Sequence, residues 1–250
     1  MIEAIILGIV QGLTEFLPVS SSGHLALIEN WLGIAEPMTL SVFLHFGTLI
    51  AIIVYFFIPI KELARGIFTG DRASLAYLGK IALGTVPIVI AGMFLRSLVD
   101  DAFNNMGLVA VLLGVTGGFV LLTGVAPRKQ QPVTWLASIV IGIAQAFAIL
   151  PGISRSGMTI SAGLYSRIDP ERAFRFSFLL SIPAILGANL LELKNVSGIT
   201  NLPALFTGML FSFASGLIAL AVLRRTVYRR FYLFGIYCLI LSAVLMITRI

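Results

Sequence analysis

One polar segment occurs twice in this chain, each time inside a stretch apolar enough for lipid. The first copy reads GIVQGLTEFLPVSSSGH from Gly8 to His24, and the second reads GIAQAFAILPGISRSGM from Gly142 to Met158. A shift of 134 positions superposes them without a gap, so that Gly8, Ile9, Gln11, Ser20, Ser22 and Gly23 fall on Gly142, Ile143, Gln145, Ser154, Ser156 and Gly157. The copies differ where they carry charge: Glu15 and His24 stand in the first, and Arg155 stands in the second, opposite Ser21. Ionisable groups at bilayer depth are costly and persist where they meet one another, a ligand or a water-filled cavity. The duplication therefore requires two similar local shapes whose polar residues share one interior.

The setting is a membrane. Of 250 residues, 58% are hydrophobic and 11% charged, with a mean hydropathy of +1.03, whereas a soluble domain carries roughly twice that share of charge. Lipid offers backbone groups no outside partner, which selects helices. The expected fold is an all-α integral membrane protein. No cleavable signal is expected, because MIEAIILGIVQGLTEF lacks a basic start and a small-residue cleavage site. Cys238 is the single cysteine, which excludes a disulfide and a cysteine metal cluster. The net charge of +6 would suit nucleic acid, but in a membrane chain basic residues mark cytoplasmic loops.

Apolar runs long enough to cross a bilayer, about 20 residues, lie near 40–60, 75–95, 106–126, 174–193, 203–223 and 231–248. The two repeated segments break at proline and a serine–glycine cluster, Pro18 to Gly23 and Pro151 to Gly157. Proline removes a helical hydrogen bond and glycine permits a reversal. The pattern predicts six transmembrane helices plus two re-entrant helix–loop–helix hairpins. They form one membrane domain, 1–250, built from internal repeats of about 1–127 and 132–250. Each half then has an odd number of crossings, which inverts the second half relative to the first. Under this topology one face carries Arg96, Lys194 and Arg249. The other carries Lys61, Arg65, Arg72, Lys80, Arg128, Lys129, Arg167, Arg172, Arg175, Arg224, Arg225, Arg229 and Arg230. Basic loops stay in the cytoplasm, so both termini are expected outside. Hairpin one enters from outside and hairpin two from the cytoplasm, and their tips can meet near the midplane.

At those tips Ser20, Ser21, Ser22, Gly23 and His24 face Ser154, Arg155, Ser156 and Gly157, with Thr159 just beyond. Arg155 offers a rigid fork of donors suited to phosphate or carboxylate. Serine hydroxyls, N–H groups around Gly23 and Gly157, and helix starts would complete an oxyanion cradle. Glu15 fits such a site through a divalent cation, since Mg²⁺ takes one or two carboxylates plus substrate phosphates. His24 is the natural proton carrier near neutral pH. Ser21 is a nucleophile if His24 or Glu15 takes its proton, and a ligand otherwise. The set describes phosphoryl transfer or diphosphate hydrolysis.

GLTEFLPVSSSGH and LPGISRSGMT closely resemble the two signature segments of the undecaprenyl-diphosphate phosphatases, the bacitracin-resistance family. The first signature is a Glu or Gln, three residues, then Glu, met here by Gln11 and Glu15. The second, PGxSRSxxT, is met in full by Pro151, Gly152, Ser154, Arg155, Ser156 and Thr159. The resemblance runs the whole length. It implies hydrolysis of a C55-type polyprenyl diphosphate to the monophosphate with release of inorganic phosphate, a step that recycles the lipid carrier of cell-wall synthesis. It also implies dependence on Mg²⁺ or Ca²⁺, and central roles for Glu15, Ser21, His24 and Arg155. The implied partners are a polyprenyl lipid and the bilayer, with no nucleic acid, and the implied site opens to the extracytoplasmic side of the cell membrane. Gln11 stands where many members have a second glutamate, and Ser22 stands where threonine is common.

Other polar residues have plainer expectations. Ser20, Ser22, Ser154 and Ser156 also suit backbone capping at broken helices. His45 is expected to be a buried, hydrogen-bonded histidine, and Gln11 and Gln145 interhelical hydrogen-bonders or supports of the site. The cluster Arg224, Arg225, Arg229 and Arg230 is expected to anchor the topology at lipid headgroups. Gly114, Gly117 and Gly118 permit close helix packing and would suit a homodimer contact. A different class also fits an inverted repeat with re-entrant tips, namely a flippase for polyprenyl phosphate. A carrier, however, needs no Glu–Ser–His set beside its anion site.

Overall fold

The computed structural model describes residues 1–33, 37–103, 105–127, 130–195 and 201–248. Arg128, Lys129 and Arg249, counted among the loop charges above, lie outside them. The described residues form helices and no β-strand. The first half runs α1 (Ile2–Phe16), α2 (Ser21–Leu32), α3 (Pro37–Tyr55), α4 (Phe57–Phe68), α5 (Arg72–Phe94), α6 (Arg96–Phe103) and α7 (Met106–Leu121). The second runs α8 (Trp135–Phe147), α9 (Arg155–Tyr165), α10 (Pro170–Glu192), α11 (Leu202–Thr226) and α12 (Leu233–Thr248).

Polar residues start the helices where the sequence leaves lipid. Asp71 accepts from the N–H groups of Ala73 and Ser74 ahead of α5, Asn105 from Leu108 ahead of α7, and Thr134 from Ala137 ahead of α8. Asp169 accepts from Glu171 and Arg172 ahead of α10. Each satisfies backbone donors that a helix start leaves free.

Among the described residues four helices are long and apolar enough to cross a bilayer: α5, α7 with its short 3₁₀ extension to Val125, α10 and α11. The expected span at 40–60 differs. It stops at Tyr55, turns by 71° at Phe56 and continues as α4. Pro59 lies in the first turn of α4, where its missing N–H costs nothing, and it could not continue α3 without breaking a hydrogen bond. α4 buries none of its residues and carries Lys61, Glu62 and Arg65. The run at 231–248 becomes the 16-residue α12, preceded by turns from Val227 to Tyr232.

The two halves exchange partners. α1 lies against α11, and a Cβ on Gly8 would sit 2.5 Å from the Gly208 carbonyl oxygen. α8 lies against α5, and a Cβ on Gly142 would sit 2.5 Å from the Gly84 carbonyl oxygen. The equivalent glycines of the repeat thus make equivalent close approaches, each to a long helix of the other half. α7 and α12 pair across the halves, with Gly114 against Ser242 and Gly117 against Gly235. Two of the three glycines expected to serve close packing therefore meet a helix of the same chain, and Gly118 faces open space. Beneath the tips a cluster of aromatic rings, Phe16, Phe56, Phe174 and Phe178, packs edge-on and stacked at 5.0–5.9 Å between centroids.

Candidate active site

Each hairpin reverses over a short loop, and each serine cluster then opens a helix. In hairpin one the chain leaves α1 at Phe16, turns through Leu17–Ser20 and enters α2 at Ser21, so Ser22, Gly23 and His24 already lie in the first turn of a helix. Ser20 adopts φ +69, a left-handed conformation that a non-glycine residue holds only when its surroundings fix it. Its carbonyl accepts from the His24 backbone N–H at 3.2 Å and pairs with His24 Nδ1 at 2.8 Å. Its hydroxyl accepts from the Gly23 N–H at 3.4 Å and lies 3.3 Å from the Ser22 hydroxyl.

Hairpin two turns between Ala148 and Ser154, and Arg155 is the first residue of α9. Gly152 has φ +92 and lies where a side chain would strike the α7 backbone at Val109. The Thr116 hydroxyl of α7 donates to the Gly152 carbonyl at 2.9 Å and accepts from the Ser154 N–H at 3.1 Å, which pins this loop. Ser154 caps α9 by accepting from the Gly157 N–H at 3.1 Å, and its hydroxyl meets that of Ser156 at 3.2 Å.

The tips touch. Arg155 Nη2 donates to Glu15 Oε1 at 2.5 Å. The Ser21 hydroxyl donates to Glu15 Oε2 at 2.6 Å, and Gln11 Nε2 donates to the same oxygen at 3.2 Å. The Ser156 hydroxyl reaches the Leu17 carbonyl of the other hairpin at 3.2 Å. The Glu15 and Arg155 side chains are 8% and 12% exposed, and the guanidinium lies 6.0 Å from the Phe178 ring centroid. A buried carboxylate demands a compensating cation, and Arg155 supplies it from 140 residues away.

The sequence-expected residues do not all converge alike. Glu15, Ser21, Arg155 and Gln11 form one hydrogen-bonded set. Ser20 and Ser154 act as caps, so the N–H groups of Gly23 and Gly157 are already committed. The first-turn N–H groups of Ser21, Ser22, Arg155 and Ser156 are the ones that helix geometry leaves without intrahelical acceptors. Thr159 lies one turn into α9, fully buried, with its hydroxyl on the Arg155 carbonyl at 2.7 Å and the Ser177 hydroxyl at 2.5 Å. His24 turns away from the set, and its Nε2 meets the Tyr237 hydroxyl of α12 at 2.7 Å.

Two residues belong to the site that sequence reasoning placed elsewhere or did not single out. His45 makes the expected hydrogen bond, Nδ1 to the Ser41 carbonyl at 2.8 Å, but its Nε2 also stands 4.0 Å from Glu15 Oε2. The spacing Ser41, His45, Thr48 places polar groups on one helical face of an apolar run, and that was the available signal. Tyr237 had none, being one aromatic residue in an apolar helix.

The donor set near Glu15 suits a divalent cation in part. Among the described residues no three His, Cys, Asp or Glu side chains gather into a metal cage. Gln11 Oε1, however, is buried and has no hydrogen-bond partner, one turn from the Glu15 carboxylate. Glu15 is one carboxylate of the one or two that Mg²⁺ takes alongside substrate phosphates, and Gln11 Oε1 is an amide oxygen that could add to it.

Residues 4–244 match the family model described as bacitracin resistance protein BacA. The chain is 36% identical over 244 residues to an undecaprenyl-diphosphatase of Methanococcus maripaludis strain C7, covering 96% of this chain and 97% of that one. It is 40% identical over 248 residues to an undecaprenyl-diphosphatase of Syntrophotalea carbinolica, covering 95% and 94%. It is 44% identical over 269 residues to one of Desulfosudis oleivorans, covering 97% and 96%.

Proposed function

Because the chain belongs to the bacitracin resistance protein BacA family, we propose that it hydrolyses undecaprenyl diphosphate to undecaprenyl phosphate and inorganic phosphate. The observation that carries this reading is the contact between hairpins, in which one buried carboxylate is shared by a guanidinium from one tip and a hydroxyl from the other. A polyprenyl tail belongs in lipid, so a site between re-entrant tips of a membrane bundle can receive the diphosphate while the tail stays in the bilayer. The excess of basic residues on one face supports termini outside and a site open to the extracytoplasmic side.

Arg155 binds the terminal phosphate with the fork that now holds Glu15, and its second terminal nitrogen, Nη1, is buried without an acceptor and ready for a phosphate oxygen. The free first-turn N–H groups of α2 and α9 add donors at two positive helix ends. Glu15 Oε2 accepts the Ser21 proton while the Ser21 hydroxyl, or a water held in its place, attacks phosphorus in line. The bridging P–O bond breaks and the prenyl monophosphate leaves. After serine attack, water opens the phosphoserine and inorganic phosphate departs. His24, at the edge of the tip, exchanges protons with the outside. Glu15 and Gln11 would hold Mg²⁺ or Ca²⁺ together with diphosphate oxygens, and the ion would neutralise charge on the diphosphate.

The test is phosphate release from C55 diphosphate by purified protein in detergent, with no ion gradient, with and without chelator. Release that disappears in Arg155→Ala supports the assignment. Absence of release by the wild-type protein, or wild-type turnover in Arg155→Ala, overturns it. Release untouched by chelator removes the cation.

A further inference from the structure

α12 grips the turn of hairpin one from the far end of the chain. Its Cys238 thiol, buried, donates to the Pro18 carbonyl at 3.5 Å, and the adjacent Tyr237 hydroxyl meets His24 Nε2 at 2.7 Å. Pro18 and His24 bracket the three serines, so consecutive residues of one helix hold both ends of the segment that carries Ser21.

The His24 ring is fully determined by its neighbours. A carbonyl can only accept, so the 2.8 Å contact with Ser20 puts the hydrogen of the neutral ring on Nδ1. Nε2 then presents a lone pair, and Tyr237 O–H donates into it. The two rings also stack, with centroids 5.8 Å apart and planes 15° from parallel. α7, which packs on α2, has no ionisable side chain between Met106 and Leu121. Among the described residues no other side chain hydrogen-bonds His24. Tyr237 itself is 46% exposed at the protein surface.

We propose that Tyr237 is a positioning residue for His24, fixing the tautomer and plane of the imidazole. When Nε2 takes up a proton the bond reverses, N–H donating to the phenol oxygen, and the ring stays in place. The proposal rests on the reading of His24 as the proton carrier of the reaction.

Tyr237→Phe deletes the hydroxyl and keeps the stacked ring. Its kcat on C55 diphosphate should fall about 3- to 10-fold, the worth of one net hydrogen bond, with KM within about twofold and an unchanged thermal midpoint. His24→Ala should lower kcat by about 100-fold or more. The double variant should be no slower than His24→Ala, because Tyr237 acts through that ring. The chain has only two histidines, so side-chain ¹⁵N spectra of the full protein in detergent read His24 directly, and its Nε2 resonance should move in Tyr237→Phe. Wild-type kcat with an unmoved resonance in Tyr237→Phe, or losses that multiply in the double variant, overturns the proposal while leaving His24 its role. Wild-type turnover in His24→Ala overturns the proton-carrier reading itself, and the proposal with it.

Discussion

Replacing Arg155 by lysine separates the charge of this residue from its shape. One terminal nitrogen is spent on Glu15 at 2.5 Å, and the other, Nη1, is buried with no acceptor. A buried donor left unmade costs about 1–3 kcal/mol. A phosphate oxygen that satisfies it recovers that amount, which is about 5- to 150-fold in affinity at 1.4 kcal/mol per decade. Lysine still compensates the Glu15 carboxylate, so it avoids the roughly 3–5 kcal/mol of an abandoned buried charge. Its single ammonium cannot reach a carboxylate and a phosphate in two fixed directions. Purified Arg155→Lys should therefore keep a thermal midpoint close to wild type. Its KM for C55 diphosphate, and its inhibition constant for inorganic phosphate, should both rise by about 5- to 150-fold. A phosphate-release assay in detergent, titrated with substrate and with product, measures both. If both constants stay at wild-type values, the orphaned nitrogen does not bind phosphate and the argument from the fork fails.

Ser21→Ala should lower turnover by more than about 1,000-fold, the scale of losing a nucleophile that acts within a unit, and substantial residual hydrolysis assigns the attack to water instead. Gly142→Ala places a Cβ 2.5 Å from the Gly84 carbonyl oxygen, so α5 and α8 must separate at a cost of about 1–3 kcal/mol. Gly118→Ala meets nothing and should leave the melting temperature unchanged. Hydrogen bonds from the Ser74 side chain, then from the Ser74 and Ala73 backbone, hold the Asp71 carboxyl below its ordinary value of 3.8. Its ionised form thus stabilises α5 above that value and the stabilisation is lost as pH falls through the lowered one. Asp71→Ala should lower the melting temperature at neutral pH, and the gap should close on acidification. A gap independent of pH would refute the cap.

Much of the architecture could be read because its causes are local. Pro18 and Pro151, each followed by a serine–glycine cluster, place the two reversals within a few residues of where α1 and α8 end. Glu15 and Arg155 stood out because lipid makes a lone charge so costly that each called for the other. The remainder depends on distant contacts. The spacing Ser41, His45 and Thr48 marks a polar face but not that the outer nitrogen of His45 points at Glu15, and nothing near Tyr237 reveals a bond to a residue 213 positions earlier. The bend at Phe56 was signalled by Pro59 but hidden by the apolar run that continues through it. The serines were legible as polar loop residues, but their division between capping and site depended on where α2 and α9 begin, which a change of one residue decides.

The exchanged packing of the halves has a consequence for biosynthesis. α1 finds its most extensive partner only when α11 exists, and Glu15 acquires its cation 140 residues after it is made. At about 5–20 residues per second, the carboxylate spends roughly 7–28 s in or near the bilayer without its guanidinium. During that interval protonation, or retention in the insertion machinery, must shelter the acid, and neither repeat offers the other's surface to rest against. Assembly of the two halves is thus staged: α8, α9 and α10 can settle on α5, α7 and α3 as they emerge, and a chain arrested before α11 holds both hairpin tips while α1 still lacks its long cover.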